Sequence, residues 1–530
     1  MKKLYGRSKI FAYLALPALL LAACALQPTS AVAQMTSVGI DCSQAQALNL
    51  FKQENFRAGQ ALIECGLVQG GQPAKTSALP LTAPNVRVSN RACTSASNCT
   101  KSENMIWASS ANPQLIVDNY NDGDQASSSG YSGTSVSTDG GTTWHEILPP
   151  PLNTGHSANY GDPLVVFNAK LGEFFAGDLV GGCGGQGLGL WTSTDGRTWT
   201  AGACPHKGSE DDRPSMWVDN EPTSGTYGRM YISWNDFSVG VGALSVVYSD
   251  DGTTWSSPVR VDNGSTFIRD VQITGSPAGA SRYEGNNSTV FLAGMDESSN
   301  GQGGCNTRQN YIYKSLDGGV TWTKITMGSR FAPICDALCS TNSYFAQVNP
   351  IIRHMGWGEP AVGPNGVVHY VYAGLGTNGD PGDIYYTRST DNGVTWSTPK
   401  ELQGSADAAF KTQWMPSLSA DAAGGVTASW YDRRRATSAC KKVGDAGCNY
   451  ERVARQSTNN GASWGATISV SSGLITQPAQ PDPLIQACYA GDYDYDTTSS
   501  GTAFITWTDG RRVVGTTHVQ DVMYSGLSIP

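Results

Sequence analysis

Past Asn85 the chain is written in short apolar runs divided by polar turns, and the runs keep one order. A first run opens at a compact entry, as in Asp162-Pro163-Leu164, Arg213-Pro214-Ser215, Glu359-Pro360-Ala361 and Met415-Pro416-Ser417. A turn such as Gly363-Pro364-Asn365-Gly366 follows it. A second apolar run then ends in an acid, at Asp122, Asp178, Asp236, Asp296, Asp432 and Asp509. A third run leads into an Asp-Gly turn, and a fourth leaves it, as in Pro258-Val259-Arg260-Val261. Short apolar runs bounded by turn residues predict strands, four to a unit. The first and second runs recur seven times, which predicts seven units, with six as the alternative. The seventh, from Gly491-Asp492-Tyr493 to Asp521-Val522-Met523-Tyr524, has three strands and no copy of the turn that links third and fourth strands elsewhere. Its missing strand is expected from Asn85-Val86-Arg87-Val88-Ser89, which would close the set into a ring and remove a free sheet edge.

The turn between third and fourth strands is the most regular element. It reads Ser137-Thr138-Asp139-Gly140-Gly141-Thr142-Thr143-Trp144, then Ser315 to Trp322 and Ser389 to Trp396. Copies one residue shorter run from Ser193 to Trp199 and from Ser249 to Trp255, and a worn copy with Asn459 for Asp runs from Ser457 to Trp464. The Asp accepts backbone N–H bonds, Gly supplies positive φ, and the Trp is an apolar anchor that packs under the turn. These Asp residues are therefore read as structural. Their tryptophans recur every 55 to 75 residues or so, a period typical of propeller blades.

The six copies resemble the Asp box, the bacterial neuraminidase repeat of sialidase-like β-propellers. The resemblance covers residues 85–530 and implies an all-β propeller of four-stranded blades with a glycan-acting, glycoside hydrolase function. Two departures stand out. The sialidase Phe/Tyr-Arg-Ile-Pro motif, whose Arg begins a carboxylate-binding triad, has as its counterpart Val86-Arg87-Val88-Ser89, and Asn119-Tyr120-Asn121-Asp122 replaces the Glu-Gly-Arg stretch. A non-catalytic surface propeller that binds glycan or protein is the alternative reading, because propellers host both.

Composition agrees with a turn-rich, aromatic β protein: 62 Gly, 14 Trp and 22 Tyr, with only 15% charged residues. The net charge of −9 excludes a nucleic-acid partner, which needs a basic surface. Lys2, Lys3, Arg7 and Lys9 precede the apolar run Phe11 to Leu21, which predicts an export signal over residues 1–24. Leu21-Ala22-Ala23-Cys24 reads as a lipobox with Cys24 lipidated, giving a cell-envelope lipoprotein whose one membrane contact is that anchor. Cleavage after Ala33 is the rival and would give a secreted protein. Without Cys24, twelve of the thirteen cysteines remain, an even number that suggests disulfides in an exported chain. Proximity favours Cys42–Cys65, Cys93–Cys99, Cys183–Cys204 and Cys440–Cys448, and leaves Cys305, Cys335, Cys339 and Cys488 unassigned. Residues 25–40 and 66–84 read as linkers, and 41–65 as a helical cap begun by Asp41.

Strand direction alternates within a blade, so strand-one entries and strand-two exits share one face, and the Asp-Gly turns share the other. The first face is expected to carry function around the channel. Its candidates are Glu359, Tyr493 and Asp212 for catalysis, and Arg213, Arg433, Arg511, Trp357 and Trp414 for substrate binding. Carboxylates accept sugar hydroxyls, Arg clamps a carboxylate in a fork, and rings stack on sugar faces, so the expected partner is a glycan or glycoprotein, acidic sugars included. Glu359 stands out because its entry departs from the Asp most others use. No cofactor and no protein-bound metal is expected; the acidic face leaves calcium open, although no EF-hand pattern occurs. Six scattered His without HExxH, and the lack of a G-x-S-x-G elbow, argue against zinc protease and serine esterase chemistry. A monomer is expected.

Overall fold

In a computed structural model, described for residues 34–71 and 85–530 apart from short stretches (94–97, 126–129, 299–303, 340–343, 349–351, 404–410, 442–445, 476–481 and single positions), the apolar runs form seven antiparallel blades. The signal segment, Cys24 and residues 25–33 of the first linker lie outside the described residues. Blade one comprises Lys101–Ala108, Ile116–Asp122, Ser132–Ser137 and His145–Glu146. Blades two and three start at the inner strands Leu164–Asn168 and Asp211–Val218. Blade four has an inner strand in two pieces, Ile268–Arg269 and Ile273–Gly275, both paired with Val290–Asp296. Blades five and six begin at Glu359–Val362 and Gln413–Ala420. Blade seven is built from Thr497–Ser499, Thr502–Asp509 and Asp521–Ser528, and Val86–Arg87 completes it by pairing with Tyr524 and Met523. The ring is thus closed by the first strand of the propeller.

The repeated turn works as its residues dictate. Ser137 Oγ accepts the Gly141 N–H at 2.8 Å and donates to Asp139 at 2.9 Å, while Asp139 accepts the Thr143 N–H at 2.8 Å. Asn459 preserves the arrangement in the worn copy, accepting the Ser463 N–H at 2.9 Å. The structure adds a second role. In each copy a left-handed glycine lies on a side chain of the preceding blade. A Cβ on Gly252 would sit 2.3 Å from the Phe175 ring, and one on Gly393 would sit 2.8 Å from Phe291. The turn is therefore an inter-blade contact as well as a hairpin.

The acids that end the second strands are also turn-formers. Asp122, Asp236, Asp296, Asp432 and Asp509 each accept the N–H of the residue two further on.

Neighbouring blades are joined near the axis by side chains of the inner and second strands. Asp162 accepts the Arg213 N–H at 3.0 Å, Asp270 that of Gly358 at 3.1 Å, and Glu359 that of Leu418 at 2.8 Å. Ser215 accepts the Ile273 N–H at 3.2 Å and Ser417 that of Asp496 at 2.9 Å. Asn121 links blades one and two through the Asp162 N–H at 3.1 Å. Between blades seven and one the join is a parallel pairing of Asn104 with Asp494.

The segment 41–65 is helical in pieces, not one helix: Cys42–Gln44, Leu50–Lys52 and α1 (Phe56–Glu64). Asn49 takes a left-handed conformation, and Gln53 is extended. Asn55 restarts the helix by accepting the Ala58 N–H at 3.0 Å, so Gln53-Glu54-Asn55 forms an open stretch between caps.

Six disulfides are formed. The four expected pairs are among them. The unassigned cysteines pair as Cys305–Cys335 and Cys339–Cys488.

Gly252→Ala forces a Cβ into the Phe175 ring at positive φ and should cost about 1–3 kcal/mol. Asp139→Ala, at a half-exposed turn, should cost about 1 kcal/mol. Denaturant melts of the two variants check the order; an equal or reversed effect removes the inter-blade role of the glycine.

Candidate functional site

The cap sits over the strand-entry face, and its open stretch reaches the propeller axis. Glu54 is 2% exposed. Its backbone N–H points to both oxygens of Asp212 at 3.2 Å, and the Asn55 amide donates to Asp212 at 2.6 Å. The Glu54 carboxylate accepts from Arg269 Nε at 3.1 Å, pairs again with Arg269 Nη2, and meets Arg213 at 3.5 Å. Arg269 also binds Asp212 at 2.8 Å and Asn235 at 3.0 Å. Beside the open stretch, Phe56 stacks on Tyr131 with ring centroids 4.4 Å apart.

Arg213 is the centre of the mouth. Its position has φ +49°, and Glu103, Asp162, Asp270 and Met415 at other inner-strand entries share this left-handed backbone. Register irregularities fall at the entries of blades one, three and six, so a bulge re-aims each side chain toward the axis. The guanidinium lies 3.9 Å over the Trp357 ring and 5.1 Å over Tyr493. It donates to the Tyr495 hydroxyl at 3.2 Å and has Asp270 at 3.7 Å. Tyr493 and Tyr495 stack at 4.4 Å. Arg353 forms a third cation in this layer, bound to Asp492 at 2.8 Å and lying 4.7 Å over Tyr489. Four buried polar atoms around Arg213 have no hydrogen-bond partner: Arg213 Nε, Asp270 Oδ1, Asp162 Oδ1 and the Tyr493 hydroxyl. Such orphans are costly and mark a site with unused bonding capacity.

Below this layer the channel widens into a cavity of about 530 Å³ that opens among the turns on the opposite face. Its floor includes Ser215, Gln272, Glu359, Tyr495 and Asp496, and Trp217 lies in its wall. The face expected to carry function is thus covered by the cap, and this cavity opens at the other end.

Burial sets the protonation of the acids here. It pushes Asp270 up to about 7 and Asp494 up to about 7. Burial also pushes Glu54 up, while Arg269 and Arg213 pull it back down. Glu103, Asp162 and Glu359 are raised further by the same cause. The Tyr493 phenol is raised first by burial, then by the charges of Glu103 and Asp162.

Of the residues singled out from sequence, Asp212, Arg213, Trp357 and Tyr493 meet at the mouth. Glu359 lies one layer deeper, on the cavity floor, with its carboxylate on the Leu418 N–H. Arg433, Arg511 and Trp414 serve elsewhere. Arg511 forks onto Asp509 at 2.7 and 2.9 Å and donates to Asn85, Arg433 bonds the Gly447 carbonyl, and Trp414 packs on Tyr431 and Tyr450. Sequence reasoning passed over Glu54 and Glu103. Glu103 could have been found, since Glu103-Asn104 aligns with Asp162-Pro163. Nothing local marks Glu54. Among the described residues, His206, Asp211 and Asp236 have metal-ligand chemistry, but His206 bonds Asp211 at 2.6 Å and Arg260 holds Asp236 at 2.7 Å.

No family model matches the chain, and neither does the sequence of any curated protein. Among solved structures it is similar to a protein of unknown function from Dyadobacter fermentans, at 13% identity and a TM-score of 0.41, over 85% of this chain and 100% of that one. It is similar to an α-L-arabinofuranosidase from Fusarium graminearum, at 12% identity and a TM-score of 0.34, over 59% of this chain and 92% of that one. It is also similar to a leech intramolecular trans-sialidase, at 13% identity and a TM-score of 0.40, over 85% of this chain and 71% of that one. At such identities and scores nothing about activity passes to this chain. The fold and site define it as a seven-bladed propeller whose channel mouth, built of arginines, acids and aromatic rings, lies under an N-terminal cap.

Glu359→Ala should leave the buried Leu418 N–H unpaired and cost about 1–3 kcal/mol, whereas Glu359→Gln retains an acceptor and should cost less. Thermal melting of both checks this; equal losses would remove the Glu359 carboxylate from the joint between these blades.

The pH dependence follows from the raised acids. A carboxyl whose folded pKa exceeds its unfolded value binds extra protons in the native state. Its contribution is full at low pH and is lost as pH rises through the folded pKa. His354 and His369, held neutral by burial at about 3 and about 4, act in the opposite sense, but only below their ordinary 6.5. The melting temperature should therefore fall from pH 6.5 to about 8, through Asp270 and Asp494. Asp270→Asn should flatten the slope. A melting temperature that rises over this window refutes the assignment.

Proposed function

We propose that the protein is an exported glycoside hydrolase acting on glycans that carry a carboxylate. One observation carries this reading. Arg213, sandwiched between Trp357 and Tyr493, has long ion pairs and an orphaned Nε, beside a phenol without a partner. A guanidinium grips a sugar carboxylate, a ring packs on the sugar face, and a phenol flanked by carboxyls supplies a nucleophile or hydroxyl donor. Glu103 and Asp162 are the acids whose charges Tyr493 feels most strongly, and so the groups to exchange protons with it and with a leaving oxygen. The resemblance of the repeated turn to that of sialidase-like propellers points the same way. The six disulfides favour an oxidising compartment. The lipid anchor at Cys24 belongs to this proposal, as do a monomeric state and glycan or glycoprotein partners.

A second reading, a non-catalytic glycan-binding or protein-binding propeller, is favoured by the cover that the cap puts over the mouth.

Sugar release from sialylated, uronic-acid and neutral glycan panels separates the two. Tyr493→Phe removes a hydroxyl that bonds nothing, so melting should hold while turnover falls at least about a hundredfold. Unchanged turnover would remove Tyr493 from the reaction. Binding without release by the wild type would replace the hydrolase with the binding propeller.

A further inference from the structure

The cap has the build of a separate body. Ile40, Ala45, Leu50, Ala58, Ala61 and Leu62 form an apolar cluster of cap residues alone. Cys42–Cys65 clasps it. Arg57 to Glu210, Gly59 against Ile485 and the Gly71 N–H to the Asp482 carbonyl hold its outer parts to the propeller, and four consecutive residues reach toward the axis. Gln53 bonds Glu210 at 3.0 Å, Glu54 bonds Arg269 and Arg213, Asn55 bonds Asp212, and Phe56 stacks on Tyr131. The side chain that enters the axis is a carboxylate, where an apolar side chain would seal a dry interface at lower desolvation cost. A carboxylate between two arginines can be exchanged for another carboxylate with little change in the charge balance of the mouth.

We propose that the cap is a displaceable plug in which Glu54 acts as an internal ligand, filling at Arg213 and Arg269 the place an external sugar carboxylate takes when the cap lifts. This rests on the acidic-glycan reading above and adds its regulation. The closed state holds the mouth with an intramolecular carboxylate, whose effective concentration an external ligand must overcome. The orphaned Arg213 Nε and Tyr493 hydroxyl are the groups Glu54 leaves unused and a larger acidic ligand can engage.

The test compares the full disulfide-bonded chain with Glu54→Ala and Glu54→Gln. Phe56→Ala is a third variant that loosens the cap without altering a charge at the mouth, should the Glu54 variants not fold. Hydrogen exchange over residues 50–64 reads cap opening. Calorimetry with N-acetylneuraminate and with D-glucuronate, each alone, reads the anion site, with glucose as the neutral control. The expected result is faster exchange over 50–64 in the variants and acidic-sugar affinity raised at least about tenfold over the wild type, with no gain for glucose. Unchanged exchange in all folded variants, or wild-type affinity equal to theirs, overturns the plug and leaves the glycan reading standing. Open caps that bind no acidic sugar overturn the acidic-glycan reading and, with it, the role of Glu54 as an internal ligand.

Discussion

A ring of blades holds only if each sheet is fastened to the next, and here backbone N–H groups are taken by side chains at the axis while the repeated turns pack on the preceding blade at the rim. Near the axis a side-chain acceptor on one blade takes a backbone N–H of the following one, as Asp162, Asp270 and Glu359 do. At the rim a left-handed glycine of the repeated turn rests on the preceding blade. Both contacts recur because the geometry between blades recurs. Backbone N–H groups at inner-strand entries are buried and need acceptors, and the entry carboxylates meet that need. Raised carboxyl pKa values at Asp162, Asp270 and Glu359 follow from the same burial.

The mouth is where this rule is broken. Arg213 and Tyr493 carry bonding capacity that the ring does not use, and orphaned atoms cluster around them. The bulged, left-handed entries turn their side chains inward and concentrate that capacity at one end of the channel. The cap then covers this end with its own carboxylate, while the other end remains an open cavity. Fastening and recognition thus draw on the same residue types, acids and arginines, and burial alone does not separate them. Partnering does: Glu359 and Arg511 are satisfied by neighbours in the fold, whereas Arg213 Nε and the Tyr493 hydroxyl are not.

Much of the fold was legible in the chain because its determinants are local. The Ser-x-Asp-x-Gly spacing prescribes its own hydrogen bonds within eight residues, and the strand that closes blade seven announces itself by its likeness to other fourth strands. Cysteines 6 to 23 residues apart could be paired by proximity. Repetition also revealed the entries that face the axis, and so Asp212, Arg213, Trp357 and Tyr493. Arg433, Arg511 and Trp414 are engaged apart from them, with the Gly447 carbonyl, with Asp509 and with Tyr431 and Tyr450.

What the chain could not show depends on which distant segments ring closure brings together. Cys339 and Cys488 are 149 residues apart, and Glu54 meets Arg269 across 215. No periodicity encodes such a meeting, since a lone Glu in a broken helix looks like any solvated acid. The sequence by itself determined the blades and their turns, because each is specified by residues a few positions apart. Only the tertiary structure decided that the mouth is plugged and by which carboxylate, because docking the cap depends on a charge balance among arginines and acids from the cap and several blades, assembled after the ring has closed.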